Sequence, residues 1–312
     1  MIEKEFLGYN DYPIRVYIWD NVDSPKGVVQ IVHGMAEHAG RYDDFANFLN
    51  TKGYIVVADD HRGHGKTANG KLGIVPDGDC FHDTVQDLIA ITYEAISAYK
   101  LPVMLFGHSY GSFLSQAYIQ KASDIINGVV LCGSARQPSS LVNIGSLVSN
   151  IQKSILGKDK PANMVKNLTF GSYNKKFKKE GSPNAWLSVN KENYIAFDDD
   201  RLSGQTMSLG FYTSFFKALK KLYTKNSLSG IRKSLPIYIT SGDSDPVGGF
   251  SKYVDSLFNT YISAGIENVS VKLYPELRHE ILNEKEKDTV YEDILAFIDK
   301  CNALQNAKSE TV

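Results

Sequence analysis

The sequence predicts an α/β protein, a mostly parallel central sheet flanked by helices and interrupted late in the chain by a helical insertion. Short apolar runs recur at 28–32, 54–58, 103–106, 128–132, 236–240 and 269–274. Segments of helical periodicity lie between several of them, the alternation that parallel βαβ units produce. The chain opens on residues 4–19, where Phe6, Tyr12, Ile14, Val16 and Ile18 interleave with polar residues, as in an antiparallel hairpin at the sheet's edge. Between the run ending at Leu131 and the one starting at Pro236 the alternation stops, over a stretch too long for a bare loop.

The elements follow in order. Val28–Val32 reads as a strand that ends in His33-Gly34-Met35-Ala36-Glu37-His38, and a helix with Phe45, Phe48 and Leu49 on one face comes next. After the 54–58 strand, the turn at 60–65 matches neither a P-loop nor a dinucleotide fingerprint. It reads as a βα turn braced by an ion pair of Arg62. Residues 82–99 carry Val85, Leu88, Ile89, Thr92 and Ile96 at helical spacing. The strand Pro102–Phe106 leads through Gly107-His108-Ser109-Tyr110-Gly111 into a helix over Ser112–Lys121. Within the interruption, residues 140–156 place Leu141, Ile144, Leu147, Val148, Ile151 and Ile155 on one helical face. Residues 211–222 do the same with Phe211, Phe215, Leu219 and Leu222. The strands 236–240 and 269–274 and a helix over 288–301 close the chain. The expected organisation is a core of residues 1–133 and 236–312 with a helical cap at 134–235.

The chemistry begins at Ser109. In Gly107-His108-Ser109-Tyr110-Gly111 the serine occupies a sharp strand-to-helix turn, and glycines two residues to either side let strand and helix approach closely. A serine hydroxyl needs an imidazole to take its proton and a carboxylate to orient that imidazole. In this setting the partners follow in the order acid, then histidine. Of the seven histidines only His279 lies downstream of Ser109, which makes it the base by elimination. The acid belongs on the loop after the 236–240 strand, where Asp243 and Asp245 compete. Asp245 is favoured because it lies farther into the loop, and Asp243 reads as a turn cap. Glu276 and Glu280 flank His279 too closely in sequence to point at its ring and read as solvated charges. The developing oxyanion needs backbone donors, expected from Tyr110, directly after the nucleophile, and from Met35, after the permissive Gly34. His33 reads as structural packing of that loop.

These residues resemble those of α/β-hydrolase superfamily serine hydrolases, in the branch of monoacylglycerol lipases and lysophospholipases, which are serine aminopeptidase S33-type hydrolases. The resemblance rests on His33-Gly34-Met35-Ala36-Glu37-His38-Ala39-Gly40-Arg41-Tyr42 and Asp60-His61-Arg62-Gly63-His64-Gly65, and on the serine elbow. It continues through Gly242-Asp243-Ser244-Asp245-Pro246-Val247-Gly248 and Arg278-His279-Glu280. It implies nucleophile Ser109, acid Asp245, base His279 and oxyanion donors Met35 and Tyr110. Tyr110 departs from the Met or Leu frequent at that position, which changes the pocket wall but not a backbone donor. The implied reaction is hydrolysis of a small-molecule acyl ester, most of all a monoacylglycerol or lysophospholipid, through an acyl-enzyme with no cofactor and no metal. Short-chain or hydroxycinnamoyl ester hydrolysis, aminopeptidase activity and a non-catalytic binding module are the alternatives.

Composition narrows the setting. The chain carries 34 Lys+Arg and 35 Asp+Glu, a net −1. From Ser134 to Leu235 there are 17 basic and 6 acidic residues, a formal +11, which leaves −12 on the remainder. A basic cap on an acidic body suits contact with anionic lipid, although individual lysines such as Lys175, Lys176, Lys178 and Lys179 read as a solvated face. With no basic stripe interleaved with aromatics, nucleic acid is not an expected partner. No apolar stretch nears the roughly 20 residues of a spanning helix, and the start lacks the pattern of a signal peptide. Three widely spaced cysteines, Cys80, Cys132 and Cys301, argue against a disulfide framework and for a reducing, cytoplasmic compartment. No Cys/His spacing suggests zinc. His38 and Asp43 echo an H-x4-D acyltransferase box, a match attributed to chance.

Overall fold

The computed structural model describes residues 1–309. Its strands are β1 (Ile2–Leu7), β2 (Pro13–Trp19), β3 (Gly27–Val32), β4 (Tyr54–Asp59), β5 (Val103–His108), β6 (Gly128–Cys132), β7 (Ile237–Gly242) and β8 (Val269–Tyr274). They form one sheet in the order β1-β2-β4-β3-β5-β6-β7-β8. β1 pairs antiparallel with β2, Ile2 opposite Ile18, and β2 pairs antiparallel with β4. The remaining pairings are parallel. The fold is the mostly parallel α/β sheet with a leading antiparallel edge that the sequence predicts.

Strands β3 to β7 are buried along their whole length, which is why they read as continuous apolar runs. In β4, Ile55 and Val57 enter one core layer while Tyr54, Val56 and Ala58 enter the other. The edges differ. β8 exposes Ser270 and Lys272 between Val269, Val271 and Leu273. β1 carries Glu3, Lys4 and Glu5 in an exposed stretch, and such charge discourages pairing with another chain.

The helices are α1 (Asp43–Thr51), α2 (Cys80–Tyr99), α3 (Tyr110–Ala122), α4 (Ser139–Leu156), α5 (Asn163–Phe170), α6 (Lys191–Asp199), α7 (Leu209–Leu222), α8 (Lys225–Ser229), α9 (Lys252–Ser263) and α10 (Lys287–Ser309). α1 and α10 cover one sheet face with Phe45, Leu49, Val290, Ile294 and Ile298. α2, α3 and α9 cover the other with Leu88, Ile91, Leu114, Tyr118 and Leu257. α2 starts two residues before the expected position because the Asp79 side chain accepts from the His82 N–H, so Cys80 and Phe81 enter the core.

Helices α4 to α8 lie between β6 and β7. α7 shares the core, with Phe211, Phe215, Leu219 and Leu222 in the same cluster as Leu88 and Leu114. α4 departs from expectation. Its packed side is Val142, Gly145, Ser146 and Ser149, while Leu141, Ile144, Leu147, Ile151 and Ile155 are more than half exposed. The reason is steric. α7 presents Phe216 to Gly145, and only small side chains let two helices approach over such a ring. Among the described residues no helix is long and apolar enough to cross a membrane.

Candidate active site

Ser109 links β5 to α3 with φ 53° and ψ −118°, a backbone state a non-glycine residue keeps only under constraint. The constraint is visible in its neighbours. A Cβ on Gly111 would lie 2.0 Å from the Val32 carbonyl oxygen, and one on Gly107 would lie 2.2 Å from Ser115 Oγ. Only glycine at both positions lets α3 start immediately after the serine. α3 therefore begins at Tyr110 rather than at Ser112.

The other candidates come from loops at the carboxyl ends of neighbouring parallel strands, where open α/β sheets place their ligands. His279, after β8, is 1% exposed, and its Nδ1 lies 2.8 Å from Asp245 Oδ2. Asp245, after β7, also accepts from Ser241 Oγ at 3.0 Å and from the Val247 N–H at 2.8 Å. Burial raises its pKa, but His279 and these donors outweigh that and hold the carboxyl below its ordinary value. The opposite ring nitrogen, His279 Nε2, is buried with no hydrogen-bond partner among the described residues. Ser109 and His279 line one cavity. Asp243 plays a different part, accepting from the Glu276 N–H at 2.8 Å and from Ser244 Oγ, and so bracing the turn.

The backbone donors also have identifiable supports. Tyr110 is the first residue of α3, so its N–H has no intrahelical acceptor. At Met35 the preceding peptide is pinned from both sides. His33 Nε2 accepts from the His61 N–H at 3.0 Å, which leaves Nδ1 as the donor to the Gly34 carbonyl at 2.8 Å. The Gly34 N–H donates to Glu37 Oε1 at 2.5 Å. In a trans peptide the carbonyl and the following N–H point oppositely, so holding Gly34 O fixes where the Met35 N–H aims. Burial pushes the His33 pKa well down, with His61 and His64 adding to it, consistent with this neutral tautomer.

Glu280 corrects the sequence reading. It is 3% exposed, and both its oxygens accept from Arg41, at 2.7 Å each. Arg41 also donates to Glu37 Oε2 at 2.6 Å, and Asn193 of α6 donates to Glu280 Oε2 at 2.7 Å. His108 Nδ1 faces Glu37 Oε1 at 3.4 Å and its Nε2 faces the His279 carbonyl at 3.3 Å. Both nitrogens face acceptors, and although burial opposes the charge, Glu37 raises the His108 pKa. One buried network thus ties together the Met35 loop, the serine elbow, His279 and α6. Periodicity gives no sign of it, because Arg41 and Glu280 stand 239 residues apart. Trp186, whose ring sits 5.1 Å from that of His279, carries no sequence signal either.

The remaining expectations fall as follows. Arg62 braces its turn through Asp87, at 2.6 and 2.9 Å. His38 pairs with Asp200 at 2.9 Å while Asp43 accepts from Trp19 Nε1, so the two belong to separate contacts. Glu276 and Lys175, Lys176, Lys178 and Lys179 are exposed, and the three cysteines are free and buried.

Two cavities meet at Met35 and Ser109. One, of about 510 Å³, is walled by apolar side chains including Tyr110, Phe113, Val142, Val165, Phe215 and Phe216. The other, of about 420 Å³, is walled on the His279 side by Trp186 and Phe197 and includes the polar Lys166, Asn167 and Gln205.

The profile of the family described as serine aminopeptidase, S33, matches residues 23–286. The chain is 29% identical to a monoacylglycerol lipase of Mycolicibacterium smegmatis over 302 residues, which cover 95% of this chain and 96% of that one. It is 22% identical to the phospholipase YtpA of Bacillus subtilis, over 91% of this chain and 99% of that one. Among solved structures, a thermostable carboxyl esterase from Bacillus coagulans in complex with glycerol superposes with a TM-score of 0.88 at 28% identity, covering 96% and 98% of the two chains. A serine elbow on a mostly parallel sheet, matched along nearly its whole length, places the chain in the serine aminopeptidase S33 family of α/β-hydrolases, in its monoacylglycerol lipase-like branch.

Proposed function

We propose that this protein is a serine-dependent carboxylic ester hydrolase acting on monoacyl lipids. The observation that carries the reading is the buried, unpartnered His279 Nε2 in a cavity that Ser109 also lines, with Ser109 at the junction of this partly polar cavity and an apolar one. An acyl chain fits the first and its alcohol the second, with the ester carbon at the serine. The lipase and esterase relatives support the same chemistry.

The steps follow from the geometry. Ser109 Oγ attacks the ester carbonyl carbon and its proton passes to His279 Nε2, while Asp245 holds Nδ1–H and stabilises the imidazolium. The carbonyl oxygen takes the negative charge and accepts from the Met35 and Tyr110 N–H groups, each worth about 3–4 kcal/mol in such sites. The C–O bond to the alcohol breaks, and the alcohol leaves with the proton from His279. Water then attacks the acyl-serine, gives a proton to His279, and the acid leaves as Ser109 recovers its hydrogen. The sum is ester plus water to acid plus alcohol. Aminopeptidase action would need a free carboxylate for the substrate's amine, and the two beside this cavity, Glu37 and Glu280, are committed to Arg41.

Residues 134–235 form the cap over this site in the same reading. The outward apolar face of α4 meets a lipid surface, with exposed Lys153 and Lys160 beside it and Asp159 the one acid between Ser139 and Phe170. That charge favours anionic lipid.

Hydrolysis of monoacyl lipids and of p-nitrophenyl esters of rising chain length, by wild type and Ser109→Ala, tests the assignment. Wild type should prefer the longer chains, and Ser109→Ala should fall to background. Undiminished turnover by the variant would remove Ser109 from the mechanism.

A further inference from the structure

We propose that the cavity on the alcohol side of Ser109 is built for a phosphate-bearing glycerol head group, with Lys166 and Gln205 as its specificity-determining residues. The inference rests on the ester-hydrolase reading above and chooses among its substrates.

Lys166, on α5, is partly buried and projects into the cavity that holds Ser109 and His279. Its ammonium reaches the Gly204 carbonyl at 3.3 Å and Thr206 Oγ1 at 3.4 Å, both long bonds to neutral acceptors. No carboxylate lies within ion-pair distance of it among the described residues. Burial accordingly lowers its pKa, with no opposing charge to restore it. A cation taken partly out of water without a counter-charge is costly unless something else satisfies it. The carboxylates beside this cavity do not do so, since Glu37 and Glu280 are both bonded to Arg41 and neither reaches Lys166.

Gln205 supplies an independent observation. It lines the same cavity, and its Nε2 and Oε1 are both buried with no hydrogen-bond partner among the described residues. A buried primary amide with neither end satisfied is rare and expensive, and calls for a ligand that both donates and accepts. A glycerol phosphate does both. Its phosphate oxygens accept from Lys166 Nζ and Gln205 Nε2, and its free hydroxyl donates to Gln205 Oε1. The Gly204 N–H donates to the Ala36 carbonyl at 2.8 Å, which fixes the 204–206 loop against the Met35 loop. The head-group residues are thereby held in register with the reacting ester. A neutral glycerol would satisfy the amide but leave the ammonium without a counter-charge. In the reaction, glycerol phosphate departs as the alcohol, carrying the proton from His279.

The test compares kcat/KM for 1-acylglycerol and 1-acylglycerol 3-phosphate of one chain length in wild type, Lys166→Met, Lys166→Arg and Gln205→Leu. Inorganic phosphate and glycerol 3-phosphate are titrated separately as inhibitors of p-nitrophenyl acetate hydrolysis. The expected result is a preference for the phosphorylated substrate that falls about ten- to a hundredfold in Lys166→Met, the range of a charged hydrogen bond. Lys166→Arg should restore most of it, and glycerol 3-phosphate should inhibit wild type more strongly than Lys166→Met. Equal handling of the two substrates by wild type, or a Lys166→Met loss equal on both, overturns the inference and leaves the ester-hydrolase reading standing. Inhibition by inorganic phosphate as strong as by glycerol 3-phosphate, without substrate preference, reassigns the site to a free anion and also overturns it. Absence of serine-dependent turnover on any ester overturns both readings.

Discussion

Asp245 accepts three hydrogen bonds at once, from His279, Ser241 and Val247, and charge on its oxygens strengthens each of them. An amide in its place keeps the shape but turns a donor toward the imidazole and favours the wrong tautomer. Asp245→Asn should therefore lower kcat about 10⁴-fold, as the equivalent change does in another serine hydrolase. Steady-state kinetics beside a thermal melt will separate this from unfolding, since the expected change in melting temperature is small by comparison. The loop's spacing favours Asp245 over Asp243, and in the structure Asp245 lies against His279 Nδ1 while Asp243 accepts from the Glu276 N–H. The burial of Glu280 was not legible. A glutamate next to a loop histidine looks solvated until the guanidinium that neutralises it arrives from the distant Arg41.

At the level of elements, the strands and the core helices α1, α2, α3, α7 and α10 announced themselves because their burial is periodic or continuous along the chain, while α9 went unread. α4 announced itself as a helix, and while Leu141 and Ile144 of its apolar face line the cavity at Ser109, Leu147, Ile151 and Ile155 stand more than half exposed. Helical periodicity shows that a stripe exists, not what covers it. The packed stripe proved to be the small one, Gly145, Ser146 and Ser149, with Gly145 against the Phe216 ring of α7. Because Leu147 and Ile151 are more than half exposed, Leu147→Glu and Ile151→Glu should each change stability by less than about 0.5 kcal/mol. The same changes should sharply reduce co-sedimentation with anionic vesicles. Retained vesicle binding in the double variant would refute the assignment of this face to lipid.

At the scale of the molecule, the network of Arg41, Glu37 and Glu280 joins the β3 loop, the β8 loop and α6 into one unit. Arg41→Leu leaves two buried carboxylates without their counter-charge and should cost about 3–5 kcal/mol in urea unfolding. Acid stability carries the same signature. Burial raises both glutamates, but Arg41 overrides it and holds Glu37 well below, and Glu280 below, their ordinary value. Groups depressed in the folded state contribute stability above their unfolded pKa of about 4.3 and lose it as pH falls through the folded value. The glutamates' share of the wild-type urea midpoint should hold from neutral pH downward and drop only below about pH 4. In Arg41→Leu burial acts on both glutamates without that guanidinium to oppose it, so the gap in urea midpoint between wild type and variant should narrow as pH falls below about 4. His108, raised by Glu37 against its burial, works in the opposite sense. Its contribution is present below about pH 6.5 and is lost as pH rises through the folded value.

The sequence by itself determined the α/β class, the positions of the strands along the chain, the serine elbow and the identity of its acid and base candidates. Each of these is written in local spacing, in runs, glycines and chain order. Only the tertiary structure decided which face of α4 is bare, what neutralises Glu280, and that Lys166 and Gln205 share a cavity with Ser109. Those depend on groups that meet across long stretches of chain, and local spacing carries no record of a partner's position.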